Sequence, residues 1–248
     1  MGWKIVRHAF VILFGNIVEA LKVSVGPMII GAVVAFQVIR MVGADVVGNL
    51  VTPDPTYTGQ GTSSLFVALL FFVGVLFVIS WIAVSWHRFV LLEEYPGLFP
   101  AVLNRPIATY AGQTGKLAFL IALCIVPLGI AATLPVLGNV IFLFSFFAIA
   151  FLWFRVGIIL PGVAVGKRMG IAEAWRVTRP LSGQIASVVF ILMFLNLAVS
   201  LVLFPIQSGM PLVGAVLELI ASWIMMMLGI SILTTLYGHL VEGRTLAE

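Results

Sequence analysis

The chain has 248 residues, of which 62% are hydrophobic and 9% charged, with a mean hydropathy of +1.22. A soluble globule of that composition could not cover itself with polar side chains, so lipid is its solvent. The net charge of +4 and pI near 9.6 would suggest nucleic acid for a soluble protein, but here the cations meet anionic headgroups, each attracted by about 1 kcal/mol, and nucleic-acid binding is set aside.

In chain order, Lys4 and Arg7 ahead of an apolar run from Ala9 resemble a secretory signal. Gly15, Asn16, Glu19 and Lys22 break that run and no small-x-small cleavage site follows, so a cleaved signal is not expected. Lys4, His8, Gly15, Glu19 and Lys22 instead recur at helical spacing opposite Trp3, Val6, Phe10, Leu13, Ile17 and Leu21. Residues 1–22 are therefore predicted to form an amphipathic helix in the membrane interface.

Six apolar stretches follow, at about 23–42, 65–86, 117–134, 140–160, 185–204 and 213–236, each near the roughly 20 residues a helix needs to cross hydrocarbon. Their connections alternate in charge. Lys4, Arg7 and Lys22 precede the first span; Arg88, Arg105 and Lys116 follow the second; Arg155, Lys167, Arg168, Arg176 and Arg179 surround the end of the fourth; Arg244 lies in the tail. The connections 43–64, 135–139 and 205–212 hold no Lys or Arg, which leaves Arg40 alone on that side. Span length and the positive-inside rule then predict an all-α protein of six transmembrane helices with both termini cytoplasmic.

Of the connections, 43–64 carries the turn chemistry of Thr52-Pro53-Asp54-Pro55-Thr56 and Gly59-Gln60-Gly61. Residues 134–139 are predicted to form a tight outer hairpin, and Ile171 to Thr178 a short interfacial helix ended by Pro180. One membrane domain, residues 1–248, accounts for the whole chain, and no repeat relates its halves beyond a weak echo of Trp86-His87-Arg88 in Tyr237-Gly238-His239.

The candidate functional groups are few. Ionisable residues in or near hydrocarbon are functional candidates because burying a charge there is costly. Arg40 and Glu218, both near the outer surface on the first and last spans, form a candidate ion pair; Arg155 lies where Glu93, Glu94 or Glu173 could reach it. Arg155, His87 and Arg88 together form a candidate set for a lipid headgroup. The sequence contains no His-Glu-x-x-His and no Gly-x-Ser-x-Gly, and the expectation is no catalytic, cofactor or metal site. Cys124 is expected to fill space in the third span, and the six tryptophans to anchor the chain mostly at the membrane borders.

Arg7-His8-Ala9-Phe10 with Leu13-Phe14-Gly15-Asn16, the Trp86-His87-Arg88 turn, and the run from Arg155 through Leu160-Pro161-Gly162 and Glu173-Ala174-Trp175-Arg176 to Thr178-Arg179 carry a resemblance. In these segments the chain resembles bacterial multi-span proteins related to the membrane domain of glycerophosphodiester phosphodiesterases. In enzymes of that kind a separate soluble barrel performs the chemistry. The resemblance thus implies architecture and transfers no catalytic residue.

With Gln37, Ser80, Ser145, Asn196 and Ser231 as the polar groups near mid-membrane, and no acid or base among them, coupled transport of polar solutes is poorly served. The function expected is that of a non-catalytic accessory or scaffolding subunit packed against a larger membrane complex, respiratory or photosynthetic. Phenylalanine-rich second and fourth spans motivate that expectation. Binding or moving a phospholipid or isoprenoid is the alternative, and transport of a small solute the third reading.

Overall fold

The computed structural model describes residues 2–42, 61–131, 134 and 138–246. Among them all regular structure is helical. Helices α1 (Gly2–Gly15), α2 (Ile17–Val42), α3 (Gly61–Leu92), α4 (Ile107–Ala131), α5 (Gly138–Val156), α6 (Ile159–Ala164) and α7 (Ile171–Thr178) lead through a 3₁₀ turn at Arg179–Leu181 to α8 (Ser182–Gly209) and α9 (Pro211–Leu240). Six of the helical stretches are long and apolar enough to cross a membrane, and the chain is an all-α, six-span membrane protein. The turn chemistry expected at 52–61 falls almost wholly outside the described residues, as do residues 135–137 of the 134–139 hairpin.

Helix boundaries differ from the hydropathy reading mostly at the ends rich in Lys and Arg. The interfacial helix stops at Gly15 and the first span starts at Ile17, because Asn16 turns its side-chain amide back onto the Ile12 carbonyl at 2.8 Å and interrupts the helical ladder. The third span begins ten residues before Leu117, at Ile107. Polar Tyr110, Gln113, Thr114 and Lys116 mask those turns from a hydropathy window, yet Ile107, Tyr110 and Leu117 are buried. The short interfacial helix Ile171–Thr178 forms with the limits predicted.

In the bundle α2 packs on α3, α3 on α4, α4 on α5, α5 on α8, α8 on α9, and α9 closes the ring against α3. The short helix α6 lies inside it against α3, α4 and α9. All of its residues are buried, so its irregular ends are shielded from lipid, the condition under which non-helical backbone is tolerated at membrane depth. Two glycines make the approach possible. A Cβ on Gly157 would stand 2.4 Å from the Trp153 carbonyl oxygen, and one on Gly162 would stand 2.5 Å from that of Lys167 and 3.2 Å from the Tyr237 ring.

Burial is lopsided along the membrane normal. Trp86, Ile159, Leu160, Met227, Leu228 and Leu236 form a protein core in one half. Phe36 on α2, Phe72 on α3, Ile130 on α4, Phe142 on α5, Phe204 on α8 and Leu212 on α9 are exposed in the other. In lipid an exposed apolar side chain costs nothing, since acyl chains are as apolar as leucine. That other half therefore needs no core of its own.

Helix α1 lies across the packed end, against α8 and α9. Its buried face is Gly2, Ile5, Val6, Ala9 and Leu13, while Trp3, Val11 and Phe14 are exposed. The helix is thus apolar on two sides, one turned to protein and one away from it, which is a different division from the single apolar stripe predicted. Trp81 and Trp86 also depart from the expected border role: both are buried, Trp81 donating to the Pro100 carbonyl at 3.1 Å and Trp86 to Ser231 Oγ at 3.0 Å. Cys124 is exposed rather than core-filling.

Candidate functional site

Polar chemistry gathers at the packed end, in three assemblies. The first is internal. His87 on α3 is fully buried and meets Thr234 Oγ1 of α9 through Nδ1 at 2.8 Å and the Tyr110 hydroxyl of α4 through Nε2 at 3.1 Å. The Thr234 hydroxyl proton is given to the Ile230 carbonyl at 2.9 Å, so its oxygen accepts from His87 Nδ1–H. His87 Nε2 is then the acceptor for Tyr110. One neutral imidazole so joins three spans with both ring nitrogens satisfied.

The second assembly holds Arg155, 5% exposed near the end of α5. Its Nε donates to Thr178 Oγ1 at 3.1 Å and Nη2 to the Trp175 carbonyl at 2.8 Å, and its guanidinium carbon lies 3.7 Å from the centre of the Trp175 ring. Among the described residues no carboxylate pairs with Arg155, so none of Glu93, Glu94 and Glu173 meets the expectation. The indole face and backbone carbonyl of Trp175, near the end of α7, take their place.

The third assembly is open. After α3 the chain turns at Glu93, whose φ of 57° is left-handed, and the Glu94 amide comes back to the Arg88 carbonyl at 3.5 Å. This turn returns the Glu94 carboxylate to the last turns of the helix it has just left. Arg88 grips it with Nε and Nη2, the Nε contact being 3.0 Å, and sends Nη1 to the Ala164 carbonyl at 2.8 Å. Arg105 binds the same carboxylate through Nη1. The Arg88 hydrogen bond, then those of Arg105 and the charge of both, hold the Glu94 carboxyl below its usual 4.5 against the opposing effect of burial.

These three side chains line a cavity of about 290 Å³ completed by Ser85 and the loop Tyr95 to Ala101. That size is at the lower edge of the roughly 300–1,000 Å³ common for ligand sites. The loop is apolar and unusually exposed, with Tyr95 at 77% and Leu103 at 85%. It runs along the helices, because Phe99 lies against Gly26 of α2 and Pro100 accepts from Trp81, seven residues or about 10 Å of helix above Arg88.

Of the residues singled out in the sequence for a headgroup, Arg88 lines this cavity, whereas His87 and Arg155 are committed within the protein. Arg105 and Glu94 complete the site. Sequence reasoning missed Arg105, counting it only as a cytoplasmic charge, because only the fold of the 93–106 connection brings it to Arg88. Arg40 and Glu218 are not joined by an ion pair among the described residues. Glu218 accepts from Gln207 of α8 at 3.2 Å, and Arg40 lies over the Phe36 ring at 5.9 Å. The reason is neighbour choice: α2 packs along α3, and its hydrogen bond to α9, Trp223 to Ser24 at 2.9 Å, is nearer its other end.

No family model, curated protein or solved structure matches the chain. Fold and site alone define its class: a six-span helical membrane protein with a two-arginine cavity at its packed end.

Proposed function

We propose that this protein binds the headgroup of an anionic lipid at the Arg88–Glu94–Arg105 cavity, as a non-catalytic component of a bacterial inner membrane with both termini in the cytoplasm. The observation that carries the reading is two guanidinium groups converging in a cavity whose covering loop exposes Tyr95, Leu98, Phe99 and Leu103. Arginine forks match phosphate oxygens in pairs. Exposed aromatic and leucine side chains beside them suit a loop immersed among acyl chains. Orientation comes from cation asymmetry: the cavity is at the end rich in Lys and Arg, so it faces the cytoplasmic leaflet, where anionic lipids concentrate the negative potential.

Native mass spectrometry of protein released from nanodiscs containing phosphatidylglycerol and phosphatidylcholine tests the reading. Preferential retention of phosphatidylglycerol, reduced in Arg105→Gln, is expected; equal retention of both lipids in the wild type refutes it.

A second reading, an accessory subunit packed in a larger complex, is favoured by the exposed ring surface of α5. Phe142, Phe144 and Phe146 are all more than half exposed, and Phe142 and Phe146 stack edge-on with centroids 4.8 Å apart. Purification in mild detergent would return a stoichiometric partner on this reading, and a partner-free, monodisperse protein would remove it.

A further inference from the structure

We infer that Glu94 is a displaceable internal ligand: its carboxylate occupies the anion seat made by Arg88 and Arg105, and a phosphate group takes its place when the site is loaded. This rests on the headgroup reading and adds how the site is held when empty and what must leave it.

The geometry is that of a ligand complex. Arg88 presents the Nε and Nη2 edge to both carboxylate oxygens, the side-on fork that also binds two phosphate oxygens, and Arg105 adds a third donor to Oε2. A structural ion pair needs one arginine; two guanidinium groups of like charge drawn to a single carboxylate leave one positive charge uncompensated at the seat. Phosphate has more acceptor oxygens than carboxylate and can serve both arginines without sharing one oxygen. Among the described residues the Arg105 side chain gives hydrogen bonds only through Nη1, which keeps Nε and Nη2 for the incoming group.

The seat is also reachable and its occupant removable. The side chains of Arg88, Arg105 and Glu94 are 20%, 29% and 36% exposed, so the carboxylate that would leave is the most open of the three. Arg88 is fixed independently by the Ala164 carbonyl, so it stays when Glu94 goes. Glu94 hangs instead from a turn whose preceding residue, Glu93, has the left-handed φ of 57° that non-glycine residues disfavour. Relaxing that residue toward negative φ swings Glu94 away from the arginines, and the strain at Glu93 offsets part of what the arginines gain by holding the carboxylate.

Phosphate could arrive on a lipid or as a soluble ion, and the test separates the two. Full-length protein in nanodiscs is titrated with phosphatidylglycerol against phosphatidylcholine in one arm and with inorganic phosphate in the other, comparing wild type with Glu94→Gln and Glu94→Asp. Glu94→Gln removes the competing charge and is expected to raise affinity by about tenfold, equivalent to about 1.4 kcal/mol. Glu94→Asp keeps the charge but shortens its reach, and lies between the two. A gain in the lipid arm assigns a headgroup, and a gain confined to the phosphate arm assigns a soluble phosphate. If both variants bind each probe no better than wild type, displacement is overturned, even where phosphatidylglycerol binding itself persists. Absence of wild-type lipid preference with a gain in the phosphate arm removes the lipid reading and leaves the displacement standing. Should Glu94→Gln fail to fold, Glu94→Asp alone decides by the same criterion.

Discussion

His87 gives its Nδ1 proton to Thr234 across 2.8 Å, tying α3 to α9 at a point where neither side chain meets solvent. Three spans depend on the one imidazole, since Tyr110 completes it from α4. Replacing Thr234 by Val leaves Nδ1–H without its acceptor while preserving shape, at an expected loss of about 1–3 kcal/mol. Thr234→Ser restores the oxygen and most of the stability. Unfolding in a mixed-micelle denaturant series measures both, and equal midpoints for Val and wild type would contradict the bond.

Gly162 predicts a steric effect. A methyl there meets the Lys167 carbonyl at 2.5 Å and the Tyr237 ring at 3.2 Å, so Gly162→Ala must push α6 out of its place among α3, α4 and α9. A cost of about 1–3 kcal/mol is expected for such overpacking. Gly112 of α4, around which a Cβ meets nothing within 4 Å, serves as the control, and Gly112→Ala should be no less stable than the wild type in the same assay.

Acid should weaken the 93–106 connection through Glu94. Its carboxyl is held below 4.5 by the Arg88 hydrogen bond first and then by Arg105. A carboxyl whose folded pKa is depressed contributes stability above its unfolded pKa and loses it as pH falls through the folded value. Protease cleavage within 93–106 should therefore be slow at about pH 7 and accelerate below the ordinary carboxylate range. In Glu94→Gln that acid-dependent step should vanish, and an unchanged profile would assign the acid sensitivity elsewhere.

Glu93 carries a separate prediction, because its backbone conformation costs a non-glycine residue about 1–2 kcal/mol. Glu93→Gly relieves that strain in the closed turn. Slower cleavage of the same connection at neutral pH is the expected result, and faster cleavage would show that the side chain itself holds the turn.

Orientation can be read by labelling. In a Cys124→Ser background, cysteines at Leu103 and at Met210, exposed at opposite ends of the spans, should react with an impermeant maleimide from opposite sides of sealed vesicles. Labelling of Leu103 from the outside and of Met210 from the inside would reverse the assignment drawn from the cations, and reaction of both from one side would contradict the three spans between them.

Much of the fold is legible in the chain because lipid makes length and apolarity nearly sufficient for a spanning helix, and because Lys and Arg cluster on alternate connections. Ile171–Thr178 could be delimited for a similar reason, as its stop at Pro180 is local chemistry. Hydropathy failed at Ile107 to Lys116, where polar residues lie among others turned into the bundle, and at Trp81 and Trp86, which were assigned to membrane borders although their partners are a loop carbonyl and a serine on another span.

The site divides in the same way. Arg88, His87 and Arg155 stand out as charges or imidazoles next to hydrocarbon, but the sequence could not show that two of them are consumed internally while the third shares a carboxylate with Arg105. Solvent polarity along the chain, then, determined the number of spans and their limits to within a few turns. Which helices became neighbours, where α6 is buried, and which cation meets Glu94 were decided by tertiary packing, since the apolar faces of these helices are equivalent to lipid and only close fit and the polar bonds between helices distinguish one partner from another.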